Sequence, residues 1–289
     1  MNTPVQKVAA IHDLSGFGRA SLTVIIPILS RMGIQVCPLP TAVLSTHSKY
    51  KNFHFVDLTE HMSPMIDHWK KLHLEFNAIY SGFLGSHQQI DIVKGFIDDF
   101  RDDRQLVVVD PVLGDDGKIY TPLSQDHVKE MRSLIRKADV ITPNLTEASL
   151  LLNEPFPPTI SNQQIKEWIL ELSARGPEIV IVTSVPESGD RGVTSVIAYN
   201  RKDKRFWKVP VNYLPANYPG TGDAFASVIT GSLLTGDSLP IAMDRAVRFT
   251  STGVRATFGY DYNPDQGILL ERILDTLMAP VQNISYELF

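Results

Sequence analysis

Cysteine is nearly absent from this chain of 289 residues: Cys37 stands alone. One thiol can form neither an internal disulfide nor a cysteine metal cluster, and its apolar neighbours read it as a small buried hydrophobe. Long apolar runs are missing as well. No stretch reaches the ~18 uninterrupted apolar residues of a membrane span, so no membrane partner is expected. Met1–Lys7 lacks a basic region followed by an apolar run, so no signal peptide is read and the cytoplasm is the expected compartment. Basic blocks are also lacking, and the formal net charge is -5. Nucleic acid is therefore not an expected partner. Repeats, low-complexity runs and Gly/Ser/Pro-rich linkers are absent too. The expectation is one domain over residues 1–289, long enough to bury a large core.

What is present is a steady alternation of strand and helix patterns. Short apolar runs at Val5–Ile11, Ile34–Leu39, Ala78–Tyr80, Gln105–Val109, Val140–Ile141 and Ile179–Val182 read as buried strands. Helical patterns lie between them: Ala20–Met32, Glu60–Leu72, Gln88–Phe100, Leu123–Lys137 and Ile160–Ala174. Val193–Tyr199 and Arg205–Pro210 read as an antiparallel pair around a polar turn. Helices follow over Ala224–Leu234, Ile241–Thr257 and Ile268–Met278; the tail from Pro280 has no usable period. The pattern predicts a three-layer α/β/α sandwich with a mainly parallel central sheet and a short antiparallel edge.

Polar and glycine clusters recur where the predicted strands end: Asp13-Leu14-Ser15, Thr46-His47-Ser48, Ser81-Gly82-Phe83, Asp110 with Asp115, Asn144 with Glu147, Thr183-Ser184, and Gly220-Thr221-Gly222-Asp223. In a parallel sheet these ends share one edge, where open α/β sheets bind ligands. The helix-to-strand connections, such as Gly33 or Arg175-Gly176-Pro177, are plainer. Individually each cluster has a bland reading. Asp and Gly are common turn residues, Glu147 complements a helix dipole, and Asp223 is suited to capping. Their one-sided distribution favours a site.

The chemistry that fits is phosphoryl transfer. Gly220, Thr221 and Gly222 would offer backbone N–H groups at a helix start, which favours an anion. A carboxylate inside an anion site is repelled by phosphate, so Asp223 reads as a base for an attacking hydroxyl. Asp110 and Asp115 suit a magnesium and phosphate environment, because Mg²⁺ prefers carboxylates and water. No Walker-type G-x-x-x-x-G-K-[ST] and no protein-kinase His-Arg-Asp set is present. Gly16-Phe17-Gly18 fails the dinucleotide fingerprint, because Ser21 stands where the third glycine belongs.

These motifs, in this order, resemble the ribokinase-like superfamily and within it the pyridoxal kinases. Gly220-Thr221-Gly222-Asp223 resembles the superfamily's GTGD signature. Asp110-Pro111-Val112-Leu113-Gly114-Asp115-Asp116-Gly117 resembles D-P-V-M-G-D-x-G, and Thr142-Pro143-Asn144-Leu145-Thr146-Glu147 resembles T-P-N-x-x-E. Ser81–Ser86 resembles S-G-Y-L-G-S, with Phe83 in place of tyrosine. Ser45–Ser48 resembles S-N-H-T, with Ser48 in place of threonine. The likeness spans nearly the whole chain, although His12–Gly18 matches poorly.

The resemblance implies ATP-dependent phosphorylation of the 5′-hydroxymethyl group of a B6 vitamer in vitamin B6 salvage. It implies Asp223 as catalytic base and the Gly220, Thr221 and Gly222 amides around the transferred phosphate. By the same resemblance Asp110 and Glu147 serve Mg²⁺, and Asn144, Thr183, Ser184 and Asp115 serve ATP. Asp13, His47, Ser48 and Phe83 would line the pyridine pocket. A homodimer is expected, and a requirement for K⁺ or Na⁺ stays open. Two alternatives remain: a kinase for another hydroxymethyl substrate such as hydroxymethylpyrimidine, and a non-catalytic vitamer or nucleotide binder. His12 reads as pocket-facing or as a satisfied buried histidine, with the second favoured. Lys49 and Tyr50 read equally as surface residues or ligand contacts.

Overall fold

A computed structural model describes residues 4–289 apart from 103, 122, 158, 188–191, 213, 215 and 281–284. All eight strands expected from the sequence are present near their positions, and the first five are β1 (Lys7–Phe17), β2 (Gln35–Thr46), β4 (Ala78–Ser81), β5 (Leu106–Val109) and β8 (Val140–Ile141). Between β2 and β4 lies the short strand β3 (Phe55–Asp57), and β6 (Gly114–Asp115) and β7 (Lys118–Ile119) make a separate small hairpin. The other three expected strands are β9 (Ile179–Pro186), β10 (Val193–Asn200) and β11 (Arg205–Asn212), followed by β12 (Glu287–Leu288). The helices are α1 (Leu22–Arg31), α2 (Thr59–Lys71), α3 (His87–Phe100), α4 (Gln125–Leu134), α5 (Leu145–Leu152), α6 (Asn162–Ala174), α7 (Thr221–Leu234) and α8 (Leu239–Phe258).

The main sheet runs β12-β11-β10-β9-β8-β5-β4-β1-β2-β3. Its centre, from β9 to β2, is parallel. Both flanks are antiparallel rather than one: β3 beside β2, and β10, β11 and β12 beyond β9. Alternation along each strand divides the core in two. Ala9, Ile11, Ile79, Val107 and Val109 pack toward α2 to α6. Val8, Ala10, Tyr80, Val108 and Ile181 pack toward α1, α7 and α8. Apolar side chains on both faces are what a central parallel sheet requires, and the α/β/α layering is the predicted one.

Three local expectations change. His12–Gly18 is not a turn up to residue 17: β1 continues to Phe17, paired with β2 out to Thr46 after a register shift between His12 and Leu14. A bulge there carries polar residues along a strand. Likewise Thr183 and Ser184 lie within β9, not after it. The predicted helix Ile268–Met278 is instead broken into two short 3-10 segments, Leu270–Arg272 and Leu274–Met278. In the tail, Glu287–Leu288 adds a strand to β11. Among the described residues no helix is long and apolar enough to cross a membrane.

Candidate functional site

The strand ends of the parallel sheet and the N-terminus of α7 meet at one edge. Gly220 is the N-cap of α7 and has φ +78°. A Cβ built there would lie 2.2 Å from the carbonyl oxygen of Arg19, so only glycine fits both the angle and the close approach. Gly222 differs: among the described residues nothing lies within 4 Å of a Cβ built on it. Thr221 Oγ1 donates to the carbonyl of Tyr218 at 3.0 Å and fixes the turn. The first N–H groups of α7 have no intrahelical acceptors and point out of the helix end beside open space, which is the geometry of an anion site.

Asp223 lies on the first turn of α7. Its Oδ2 accepts the Ser21 backbone N–H at 2.8 Å. Ser21 has φ +52°, a left-handed backbone that serine adopts only when held. The same residue ties a second acid, because its hydroxyl donates to Asp13 Oδ1 at 2.5 Å. Ser15 Oγ donates to the other Asp13 oxygen at 3.2 Å. Burial pushes the Asp223 carboxyl up to about 6; the Ser21 bond opposes the rise and the charge of Asp13 adds to it. Burial also raises Asp13, against the Ser21 and Ser15 bonds and the charge of His47.

A second cluster stands beside the first. Asp110 follows β5 and is 6% exposed, with Thr142 Oγ1 donating to its Oδ1 at 2.9 Å. Burial, then the nearby charge of Asp223, pushes Asp110 up to about 7. Asn144 and Glu147 form a capping box at the start of α5. Asn144 Oδ1 accepts the Glu147 N–H, and Glu147 Oε2 accepts the Asn144 N–H, both at 2.8 Å. Glu147 Oε1 also accepts the Leu113 N–H at 3.1 Å, while Asn144 Nδ2 donates to the Gly114 carbonyl at 2.8 Å. Glu147 therefore welds the acidic loop after β5 to the start of α5. Burial raises its carboxyl well above the usual range, Asp110 adds to this, and the backbone bonds offset part of it.

The other sequence-predicted residues distribute around these clusters. The N–H of Thr183 donates to the Pro143 carbonyl at 2.9 Å, which keeps Thr183 beside Asn144. Ser184 is exposed with φ +59°. Asp115 is half-buried in the β6–β7 hairpin, bonded through its side chain toward Asn217. His47 is buried, with Nε2 2.5 Å from the Asp265 carbonyl oxygen, and it packs over Gly18, whose added Cβ would meet the ring at 2.6 Å. Ser48 is exposed at the tip between β2 and β3, and Phe83 is half-buried after β4.

Several contributors escape the sequence reading. Ser21 and Arg19 hold the α7 turn from about two hundred residues away, and no local pattern marks them. Arg19 is itself fixed by Glu271 at 2.9 Å, Tyr262 at 2.6 Å and the Gln266 carbonyl. Lys49 spans from the β2–β3 connection to Asn217 Oδ1 at 3.0 Å, so it braces the mouth of the site. His12 is fully buried, as expected, and burial holds its pKa down to about 3. Its ring lies edge-on to Tyr80, 4.4 Å between centroids.

The donor set is all oxygen. Among the described residues no three His, Cys, Asp or Glu side chains enclose a metal ion by themselves. Mg²⁺ fits such a site, since it is usually held by one or two carboxylates together with water and substrate phosphates. Asp110 and Glu147 are buried carboxylates that could hold it, and the charge of Asp110 adds to the rise of Glu147.

Comparison with known proteins gives a consistent answer. The model of the phosphomethylpyrimidine kinase family matches residues 39–267. A Bacteroides thetaiotaomicron protein provisionally assigned as a phosphomethylpyrimidine kinase, solved in a form with pyridoxal, is 59% identical, with a TM-score of 0.96 over 99% of this chain and 100% of that one. The pyridoxal kinase of Lactobacillus plantarum is 31% identical, with a TM-score of 0.86 over 94% and 96% of the two chains. The pyridoxal kinase of Arabidopsis thaliana is 28% identical over 248 residues, 81% of this chain and 78% of that protein.

Proposed function

The chain belongs to the phosphomethylpyrimidine kinase family and is a kinase, and from that premise we propose that it transfers the γ-phosphoryl group of ATP to the 5′-hydroxymethyl group of a B6 vitamer. The observation that carries the reading is Asp223. It is a carboxylate on the first turn of α7, fixed by the Ser21 N–H and preceded by Gly222, beside which no described atom lies within 4 Å of an added Cβ. A cap would not need those surroundings.

In the proposed reaction Asp223 accepts the proton of the hydroxymethyl group while that oxygen attacks phosphorus. The new O–P bond forms as the bond to the bridging oxygen breaks, and ADP leaves with the bridging electrons. The amides of Gly220, Thr221 and Gly222 meet the charge on the transferred group, a preorganised contribution that needs no reorganisation during the step. Asn144, Thr183, Ser184 and Asp115 border the nucleotide side in this reading. Bound Mg²⁺ would neutralise phosphate charge, with Asp110 and Glu147 on its protein side. The pyridine ring would lie among Asp13, His47, Ser48 and Phe83. A base raised to about 6 is still mostly ionised at neutral pH, and it is a better proton acceptor than an ordinary aspartate.

The B6 assignment is supported by the relative solved with pyridoxal, and the family's description as phosphomethylpyrimidine kinase keeps a pyrimidine acceptor, such as hydroxymethylpyrimidine, as the second reading. A kinase assay with ATP and Mg²⁺, in K⁺ or Na⁺, over pyridoxal, pyridoxine, pyridoxamine and hydroxymethylpyrimidine tests the choice. The reading expects the highest kcat/KM for a B6 vitamer. A clear preference for hydroxymethylpyrimidine would replace it, and no turnover of any acceptor would favour a non-catalytic binder.

A further inference from the structure

Two histidines outside the site face one another where α3 and α4 begin. His87 is the first residue of α3 and His127 the third of α4. Their ring centroids are 5.4 Å apart and the planes are inclined by 52°. The two helix starts are fixed separately, which brings the rings together. Ser86 Oγ accepts the Gln89 N–H at 3.2 Å, and Ser124 Oγ accepts the His127 N–H at 3.4 Å.

His127 is 2% exposed, while His87 lies at the surface. Among the described residues the buried Nε2 of His127 has no hydrogen-bond partner. A buried, unpaired ring nitrogen is uncommon and calls for a ligand. The spacing agrees: two imidazoles bound to one tetrahedral ion at about 2.0–2.1 Å have ring centres about 5 Å apart.

We propose that His87 and His127 form a site for a divalent transition-metal ion of the zinc and cobalt class, with water completing its coordination. Among the described residues no third metal-binding side chain joins the pair. The site is thus exchangeable and open, unlike a closed structural zinc. Lys94, further along α3, does not oppose the ion as a free charge, because it pairs with Asp91 at 2.6 Å and Glu130 at 3.4 Å. The helix N-termini disfavour any cation, but this screened effect is small beside two metal–nitrogen bonds. Burial and then the neighbouring His87 hold His127 below the usual histidine range, which favours the neutral form that a metal needs. The backbone of Leu84, next to Phe83, lies beside the His127 ring, so an ion here would brace that segment from behind.

The test is a titration of tag-free full-length protein with Co²⁺ and with Zn²⁺, in excess Mg²⁺ to occupy carboxylate sites and with no nucleotide. Cobalt absorption and calorimetry report binding, and imidazole NMR reports His127 Nε2. The expected result is one ion per chain with a shifted His127 Nε2 signal. Affinity should fall at least about tenfold in His87→Ala, a surface change, and in His127→Gln, since even outer partners of a metal ligand carry that much. Absence of saturable binding, or the same stoichiometry and affinity in His87→Ala, would overturn the site. Neither result depends on the kinase assay.

Discussion

Replacing Gly220 and Gly222 separately by alanine divides fold from function on a single turn. Gly220 has φ +78°, and an added Cβ would come within 2.2 Å of the Arg19 carbonyl. The left-handed angle alone costs alanine about 1–2 kcal/mol, and relieving the overlap adds about 1–3 kcal/mol. A loss of about 2–5 kcal/mol should lower Tm by at least about 4 °C in a chain of this size. Relief also requires the turn to move by about 1 Å, and a displacement of that size can cost on the order of 10²-fold in kcat. Gly222 has no such constraint, because it is helical and faces open space. Alanine there should leave Tm unchanged or raise it, since helix preference adds up to about 1 kcal/mol of stability. Its methyl would nevertheless stand where a phosphate oxygen must approach the amides, so turnover should fall. Thermal unfolding and steady-state kinetics of both variants read these effects apart. Wild-type Tm and turnover in Gly220→Ala would refute the packing argument, and full turnover in Gly222→Ala would refute the anion hole.

Three further outcomes follow. A base pushed up to about 6 must be ionised to work, so kcat/KM should fall with decreasing pH through about 6; a flat profile down to pH 5 would exclude Asp223 as that base. Phe83→Ala should raise KM for the vitamer several-fold, about 0.5–1.5 kcal/mol of lost ring contact, and leave KM for ATP near wild type; the opposite pattern would misplace the pocket. Asp110 is pushed from 3.8 to about 7, so its ionised form costs stability at pH above about 7, and that cost disappears below the unfolded value near 3.8. Without Mg²⁺, Asp110→Asn should be more stable at pH 8 by on the order of 2–4 kcal/mol, with the gap closing on acidification; a lower Tm at pH 8 would contradict the buried-charge account.

The layers of the fold were legible in the sequence because buried β-branched runs such as Val107–Val109 have one reading in an alternating α/β chain. Strand lengths were not. His12–Gly18 carries the residues of a turn, yet β2 extends beside it and supplies partners out to Thr46. Ile268–Met278 has helical spacing, but it is broken into short 3-10 turns that pack against α8. The strand Glu287–Leu288 depends wholly on its pairing with Trp207 and Lys208, which no local period encodes. In the site, Asp110, Glu147 and Asp223 were visible because acids at strand ends and a glycine-flanked helix start are unusual together. Ser21 and Arg19 were invisible for the opposite reason. One acts through a backbone N–H and the other through a carbonyl, groups that every residue has.

The most direct measurement is single-turnover phosphoryl transfer from ATP to pyridoxal by Asp223→Asn, with ATP binding followed in parallel. Asparagine keeps an oxygen for the Ser21 N–H but cannot accept the proton. Transfer should slow by about 10²–10⁴-fold while ATP binds as in the wild type. Near-normal transfer by this variant would contradict the central claim that Asp223 is the base.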